Sequence, residues 1–122
     1  MRNFKELKIW QKGFSIAMNS FKITETFPKQ EKFGLASQIN MCGVSIPSNI
    51  AEGSSRSSPR EYSRYIEISL GSCFELETQL LIAKELNYGD KSVILETLSQ
   101  ITEEEKMLTS FSKTLLAGSP NS

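Results

Sequence analysis

The chain has 122 residues, of which 39% are hydrophobic, and its 14 basic and 14 acidic side chains cancel to zero net charge. This length and composition are typical of one globular domain and exclude a disordered chain. No apolar run approaches the roughly 20 residues that span a bilayer. The lysine-containing first residues also lack the apolar centre of a secretory leader. We therefore expect a cytoplasmic protein without a membrane partner.

Histidine is absent from the chain. This excludes Ser-His-Asp and Cys-His catalysis and the Glu-x-x-His pairs of di-iron bundles. Zinc would have only Cys42, Cys73 and carboxylates as ligands, which disfavours a metal site. We expect no enzymatic activity, no catalytic residues, no metal or other cofactor and no small-molecule substrate. The two thiols are predicted to be buried and free, with a disulfide as the less favoured alternative.

The first helix is predicted over about residues 4–26, because apolar residues recur there at spacings of three and four. Asn3 and Glu6 form a plausible capping box, and the helix is expected to end before Pro28. The predicted core stripe consists of Leu7, Trp10, Phe14, Ala17, Met18 and Phe21.

The second helix is predicted over about 29–52, with a core stripe of Leu35, Ile39, Cys42, Ile46 and Ile50. This stripe runs through Pro47, which removes one helical hydrogen bond and presses on the carbonyl of Gly43. Because Ile50 stays in phase with the stripe, we predict a continuous helix kinked at Pro47. The alternative is a break at Ile46.

The corner between the second and third helices is predicted to be tight and capped. Gly53 fits the position just past a helix end, where a left-handed conformation is common. Ser58 is a cap, Pro59 suits the first turn and Glu61 completes a capping box. Glu52 and Arg56 are expected to pair across this corner. Asn49 is expected to donate a hydrogen bond to nearby backbone carbonyls, with contact to a ligand as the alternative.

The third helix is predicted over about 59–87 and the fourth over about 90–116. Asn87, Tyr88 and Gly89 form the turn between them, and Asp90 caps the fourth helix. The third core stripe is Tyr62, Tyr65, Ile66, Ser69, Cys73, Leu76, Leu80 and Ala83. The fourth is Ile94, Leu98, Ile101, Leu108, Phe111 and Leu115. Residues 118–122 are predicted to be a disordered tail.

Long helices with short connections pack antiparallel, so the predicted fold is an all-α, up-down-up-down four-helix bundle. We expect residues 1–117 to form a single domain.

Two helices carry more apolar residues than one core stripe requires. A second seam on the third helix, together with residues on the second, suggests a partner helix. The hypothesis is a homo-oligomer interface formed by Phe33, Val44, Leu70, Phe74, Glu77 and Leu81. The alternative is a locally broad core.

Up-down topology would place the start of helices 1 and 3 and the end of helices 2 and 4 at one basic pole. The candidate nucleic-acid-binding residues there are Lys5, Lys8, Lys12, Arg56, Arg60 and Arg64. Arginine suits phosphate geometry, and the start of helix 3 offers free N–H groups. The alternative is an ordinary solvated face with local ion pairs, which the neutral net charge favours. Two function hypotheses follow: an accessory or scaffold subunit contacting RNA or DNA, or a protein-interaction module that binds no nucleic acid.

Four segments carry a family resemblance: FKELKIWQKGF, FPKQEKFGLASQI, VSIPSNIAEGSSRSS and GSCFELETQLLIA. In this order and spacing they resemble the four-helix bundle family of 23S ribosomal RNA intervening sequence proteins, over roughly residues 4–117. The matching positions are Gln38, Ser45, Pro47, Asn49, Glu52, Gly53, Arg56, Glu75, Glu77 and Gln79.

The resemblance implies a small antiparallel bundle that assembles as a ring-shaped pentamer and has no established enzymatic activity. Some family members are encoded within insertions in bacterial ribosomal RNA genes. The family is also similar to the accessory protein of diversity-generating retroelements, a basic pentameric bundle that associates with a reverse transcriptase and nucleic acid. The neutral charge of the present chain departs from that basic protein.

Overall fold

The computed structural model describes residues 3–118, and within them the chain is all-helical, with four α-helices and no strand. The helices are α1 (Lys8–Thr24), α2 (Leu35–Ser54), α3 (Pro59–Glu85) and α4 (Lys91–Gly118). Two short 3₁₀ turns, Phe4–Glu6 and Lys29–Glu31, precede α1 and α2. Gly118 is the last residue of α4, and the rest of the predicted disordered tail lies outside the described residues.

The first two helices begin later than about 4 and about 29, the starting positions predicted for them. Leu7 has an extended backbone (φ −74°, ψ 133°) and separates the first 3₁₀ turn from α1. Gly34, at φ −112° and ψ −115°, interrupts the chain directly before α2. Asn3 caps the first 3₁₀ turn rather than α1, because its side-chain oxygen accepts a hydrogen bond from the Lys5 N–H.

The predicted caps of α3 and α4 are present. The Ser58 hydroxyl accepts a hydrogen bond from the Glu61 N–H at 3.1 Å, and Pro59 occupies the first turn. Asn87 (φ 59°) and Gly89 (φ 79°) turn the chain through left-handed conformations between α3 and α4. The Asp90 carboxylate accepts hydrogen bonds from the Ser92 and Val93 N–H groups, and these bonds and the Ser92 hydroxyl lower the pKa of Asp90.

Each helix packs against two others, in the pairs α1–α2, α2–α3, α3–α4 and α1–α4. The helices therefore form a closed cycle around one core. Its largest buried apolar side chains are mostly isoleucine: Ile9, Ile16, Ile23, Ile39, Ile46, Ile50, Ile66, Leu76, Leu80, Ile94, Ile101 and Leu108.

The predicted core stripe of the first helix is wrong. Phe14, Met18 and Phe21 are about half exposed, and the buried face of α1 consists of Ile9, Gly13, Ile16, Ala17, Ser20 and Ile23. Ala17 is the only buried member of the predicted stripe, while Leu7 and Trp10 are partly buried. Both sets of residues have helical spacing, and α1 turns the aliphatic set inward.

Helix α2 continues through Pro47, so the alternative of a break at Ile46 is excluded. Polar side chains bond to backbone carbonyls close to the proline. Ser69 of α3 donates to the Ile46 carbonyl at 2.8 Å, and the Asn49 amide donates to the Ser45 carbonyl at 2.9 Å. The expected hydrogen bond from Asn49 to a backbone carbonyl is therefore present.

Candidate functional site

The corner between α2 and α3 differs from the prediction at Gly53. This residue lies inside α2 rather than past its end, is buried, and does not have a positive φ. A Cβ atom at this position would lie 2.8 Å from the Tyr65 Cβ and 3.0 Å from the Tyr62 Cδ1. Glycine is needed there for close approach of the two helices, not for a left-handed turn.

Arg56 is held at this corner by three contacts. Its guanidinium donates to the Glu52 carboxylate at 2.8 Å and to the Tyr65 hydroxyl at 2.8 Å. It also lies over the Tyr65 ring, 4.8 Å from the ring centroid. The expected pairing of Glu52 with Arg56 is present, and both hydrogen bonds come from one guanidinium nitrogen, Nη2.

The other candidate phosphate-binding residues are spread over several elements. Lys12 pairs with Glu103 of α4 at 2.8 Å, and this contact lowers the pKa of Glu103. Lys5 lies in the first 3₁₀ turn, and Lys8 starts α1. Arg60 and Arg64 are exposed on α3, where they line a cleft of about 520 Å³ with Glu61 and Glu67.

Side-chain contacts join the helix ends that carry these residues. The Ser63 and Ser112 hydroxyls, of α3 and α4, are 2.6 Å apart. The Tyr62 and Phe111 rings pack edge to face at 5.5 Å. A second cleft, of about 420 Å³, lies between the start of α1 and the end of α4, and both Lys8 and Lys106 line it.

The six predicted interface residues lie on two separate surfaces. Phe33, which is 90% exposed, and Val44 lie beside Phe21 in a cleft between α1 and α2 of about 660 Å³. Phe74 instead borders a groove between α3 and α4. Leu70 precedes Phe74 on the α3 stripe at helical spacing, and Glu77 and Leu81 follow it, so the structure does not bring all six together.

Sequence reasoning missed most of the first surface, which we call the α1–α2 face. It consists of Phe14, Met18, Phe21, Phe33, Met41 and Val44, all exposed. The available signal was the presence of two apolar stripes on the first helix, an isoleucine stripe beside the aromatic one. A helix with two such stripes indicates a second packing partner.

The second surface, which we call the α3–α4 seam, consists of Leu70, Phe74, Glu77 and Leu81 of α3 with Glu105 and Thr109 of α4. Glu77 of α3 acts on the Glu105 carboxyl across this seam. Burial, followed by hydrogen bonding to Glu77 and the Glu77 charge, raises the pKa of Glu105 to about 7. The Glu105 Oε2 atom is buried and has no hydrogen-bond partner among the described residues.

Glu104 is a fully buried carboxyl that sequence reasoning also missed, with 0% of its surface exposed. Neither of its oxygens has a hydrogen-bond partner in residues 3–118. Burial raises the pKa of Glu104 to about 8, although the charge of Lys12 acts in the opposite direction. At neutral pH this side chain is therefore mainly the neutral acid. Its spacing from Ile101 and Leu108 was the signal that it faces the core.

The two cysteines are buried and free, as predicted. Burial, with Glu75 nearby, raises the pKa of Cys42 to about 11. Burial and the charge of Glu104 raise the pKa of Cys73 still further. Cys42 lines a small cleft of about 250 Å³ with Gln38, Ser45, Ser72 and Glu75. Gln79 lies beneath this surface, with its Oε1 atom buried and without a partner in the described chain.

No helix within residues 3–118 is both long enough and apolar enough to cross a bilayer. No group of three or more Cys, Asp or Glu side chains in this part of the chain is placed to hold a metal ion.

Comparison with known proteins identifies a family and solved structures with the same fold. The model of the family described as 23S rRNA-intervening sequence protein matches residues 5–110. No curated protein matches the chain.

One structural relative is a protein of unknown function from the S23 ribosomal protein family of Bacteroides thetaiotaomicron VPI-5482, with a crystal structure at 1.70 Å resolution. The TM-score is 0.78 at 24% sequence identity, over 86% of the present chain and 95% of the relative. At this level of identity the likeness shows a shared fold.

Proposed function

Because the chain belongs to the family of 23S rRNA-intervening sequence proteins, we propose that it is a non-catalytic, self-assembling bundle that serves as a scaffold or accessory subunit. The observation that carries this proposal is the pair of exposed surfaces, the α1–α2 face and the α3–α4 seam. Apolar patches of this kind on a small domain mark interaction sites.

The proposal includes a single domain of four helices in up-down-up-down order, with a bend of α2 at Pro47. The contacts between neighbouring helices support this order, because residue numbers rise along one helix as they fall along the other. Lys12 contacts Glu103, and Asn19, about two turns later on α1, contacts Gln100, which lies before Glu103 on α4. In the same way Thr24 contacts Asn40 between α1 and α2, whereas Gly13 lies against Ile46.

Assembly would join the α1–α2 face of one copy to the α3–α4 seam of the next. In the cycle of four helices these two surfaces lie on opposite sides of the bundle. An interface between two different surfaces propagates from copy to copy and closes when the rotation between copies allows a ring. The family resemblance implies five subunits in that ring.

A mixing experiment tests this head-to-tail arrangement. Phe21→Asp should disable the α1–α2 face, and Phe74→Asp should disable the α3–α4 seam, so each variant alone should be monomeric by light scattering. Mixed in equal amounts, they should form a heterodimer through the two intact surfaces. Leu95→Asp is the matched control, since Leu95 is exposed on α4 outside both surfaces, and it should assemble like the unchanged protein.

Two results would count against self-assembly. A monomer for the unchanged protein at micromolar concentration would overturn the proposal. If the mixed variants stay monomeric while the unchanged protein assembles, the interface does not join these two surfaces.

We propose nucleic-acid contact as a second function, carried by Arg60 and Arg64. Both are exposed one turn apart on α3, and no ion pair of either arginine is found within residues 3–118. Repetition of the pair around a ring would multiply weak phosphate contacts. Arg56 is less suited to this role because Glu52 and Tyr65 already engage it.

The test is binding of a mixed-sequence RNA at low and moderate salt. The unchanged protein should bind with an affinity that falls as the salt concentration rises. The double variant Arg60→Ala/Arg64→Ala should bind more weakly, whatever the sequence of the RNA. Lys91→Ala, an exposed change at the start of α4, is the control. If no RNA or DNA binds at low salt, the alternative of a protein-interaction module without nucleic acid is favoured.

A further inference from the structure

Helix α4 extends past the start of α1 at one end of the bundle. In the antiparallel order proposed above, Lys12 of α1 lies beside Glu103 of α4, with 2.8 Å between the Lys12 Nζ and a Glu103 carboxylate oxygen. Helix α1 begins four residues before Lys12, whereas α4 ends 15 residues after Glu103. At about 1.5 Å per residue, α4 therefore projects about 16 Å beyond the start of α1. The cleft of about 420 Å³ that opens there is named the α1–α4 cleft.

The lining of the α1–α4 cleft is mainly apolar. Its apolar side chains are Leu7 and Ile9 at the start of α1 and Met107 and Phe111 on α4. Ile9 is buried, and the other three are half-buried and packed against the core. The Phe111 ring is held by edge-to-face packing on Tyr62 at 5.5 Å. A cleft of this volume with a mainly apolar lining is within the range of small-molecule sites.

Two lysines from different helices line the same cleft. Lys8 begins α1 and Lys106 lies on α4, and both are exposed. Within residues 3–118 neither lysine is part of an ion pair, and Glu103, one turn before Lys106, is engaged by Lys12. Among the described residues, no aspartate or glutamate lines the cleft. An apolar cleft that carries two unpaired cations is complementary to an anion with an apolar body.

We propose that the α1–α4 cleft binds an organic anion with a hydrocarbon body, of the class of medium-chain carboxylates. The hydrocarbon lies against the apolar lining, and the carboxylate lies between the Lys8 and Lys106 ammonium groups. The Ser110 hydroxyl also lines the cleft and is a hydrogen-bond donor available to the carboxylate. None of these side chains belongs to the α1–α2 face or the α3–α4 seam, so the inference does not depend on self-assembly.

Methyl NMR of the full chain labelled at its methionines tests the proposal, with sodium octanoate as the probe. The Met107 methyl should shift in a saturable way as octanoate is added below its micelle-forming concentration. Met18 and Met41 are exposed on the α1–α2 face and serve as internal controls that should not shift. Octanol has the hydrocarbon without the charge, and acetate has the charge without the hydrocarbon. Both should bind more weakly than octanoate.

Three variants separate the charge from the cavity. The double variant Lys8→Ala/Lys106→Ala should raise the octanoate concentration at half-maximal shift by about fivefold, since each exposed ion pair contributes little. Lys22→Ala removes an exposed lysine from the last turn of α1 and should bind like the unchanged protein. Ser110→Trp fills the cleft and should abolish the shift. Circular dichroism of each variant shows whether the helices persist, and the two lysine changes, both at exposed positions, keep the test decisive if Ser110→Trp does not fold.

A saturable shift confined to Met107, weakened in the double lysine variant and absent in Ser110→Trp, supports the proposal. No shift of Met107, or equal shifts of Met18, Met41 and Met107, overturns it. Equal affinity for octanol and octanoate, or equal weakening by Lys22→Ala and the double variant, overturns the role of the two lysines and with it the anionic ligand.

Discussion

The carboxyl of Glu104 lies directly against the backbone of Gly13: a Cβ atom at Gly13 would come within 3.1 Å of the Glu104 Oε2 atom. The same Cβ would lie 3.1 Å from the Ile46 Cγ2 and 3.4 Å from the Pro47 nitrogen. Helices α1, α2 and α4 therefore meet around one carboxyl in the middle of the core. Burial of this carboxyl away from water explains why Glu104 favours its neutral form.

Glu104→Gln should remove a large part of the loss of folding stability at rising pH, and the raised pKa of Glu105 accounts for a further part. The pKa of Glu104 is raised in the folded state from 4.5 to about 8. The folded state therefore binds the proton more tightly, and stability falls as pH rises through that interval. We expect the unchanged protein to be less stable than Glu104→Gln by about 3–5 kcal/mol near pH 9 and nearly equal to it below about pH 5.

Urea unfolding at a fixed protein concentration measures this difference. Glu103→Gln is the matched control, since Glu103 is exposed and paired with Lys12, and it should keep the decline at high pH. Parallel pH profiles for Glu104→Gln and the unchanged protein would show that the core carboxyl does not titrate as described.

Two glycine substitutions should have opposite effects. A Cβ atom at Gly43 would lie 2.6 Å from the Ser20 Oγ and 3.0 Å from the Ser20 Cβ, so Gly43→Ala should destabilise the fold by about 1–3 kcal/mol. Gly71 is exposed in α3 with no atom within 4 Å of such a Cβ, so Gly71→Ala should stabilise the fold by about 0.5–1 kcal/mol. Thermal unfolding reports both, and a stabilised Gly43→Ala would contradict the close packing of α1 on α2.

Ser69→Ala should destabilise α2 at the proline. The change leaves the buried Ile46 carbonyl without the Ser69 hydroxyl, a loss of about 1–2 kcal/mol. Thr114→Ala removes a hydroxyl bond to the Ser110 carbonyl on the exposed part of α4 and should change stability by less than about 0.5 kcal/mol. Equal effects of the two substitutions in chemical denaturation would rule out a specific role for Ser69.

Both thiols should resist modification in the folded protein. Cys42 and Cys73 are buried, and burial raises the pKa of Cys42 to about 11. At pH 8 we expect reaction with a disulfide reagent to be slower than in urea by on the order of 100-fold. Rapid labelling of either cysteine without denaturant would disprove this burial, and failure to label in urea without a reductant would indicate a disulfide.

Sequence patterns predicted the helices better than they predicted which side of each helix faces the core. The stripes of α2 and α3 were assigned correctly because each has one dominant apolar face, and Asn87, Gly89 and Asp90 carried clear turn chemistry. On α1 both Phe14 and Ile16 belong to stripes of helical period, and periodicity does not tell which stripe faces the core. Gly53 was assigned to a turn because its close approach to Tyr65 depends on tertiary packing, which local sequence does not contain.

In the candidate sites, contacts within one helix could be predicted from the sequence, whereas contacts between helices could not. Glu52 and Arg56 are four residues apart on one helix, so their pairing followed from local geometry. The effect of Glu77 on the Glu105 carboxyl depends on the relative placement of two helices, and sequence reasoning identified only Glu77.

The layer around Glu104 also restricts how the sequence can diverge. Gly13 leaves the space that the Glu104 carboxyl occupies, so these two positions share one volume. A relative with a bulkier apolar residue at the position of Gly13 should carry a shorter side chain at the position of Glu104. The two positions are therefore expected to change together across relatives, although they are far apart along the chain.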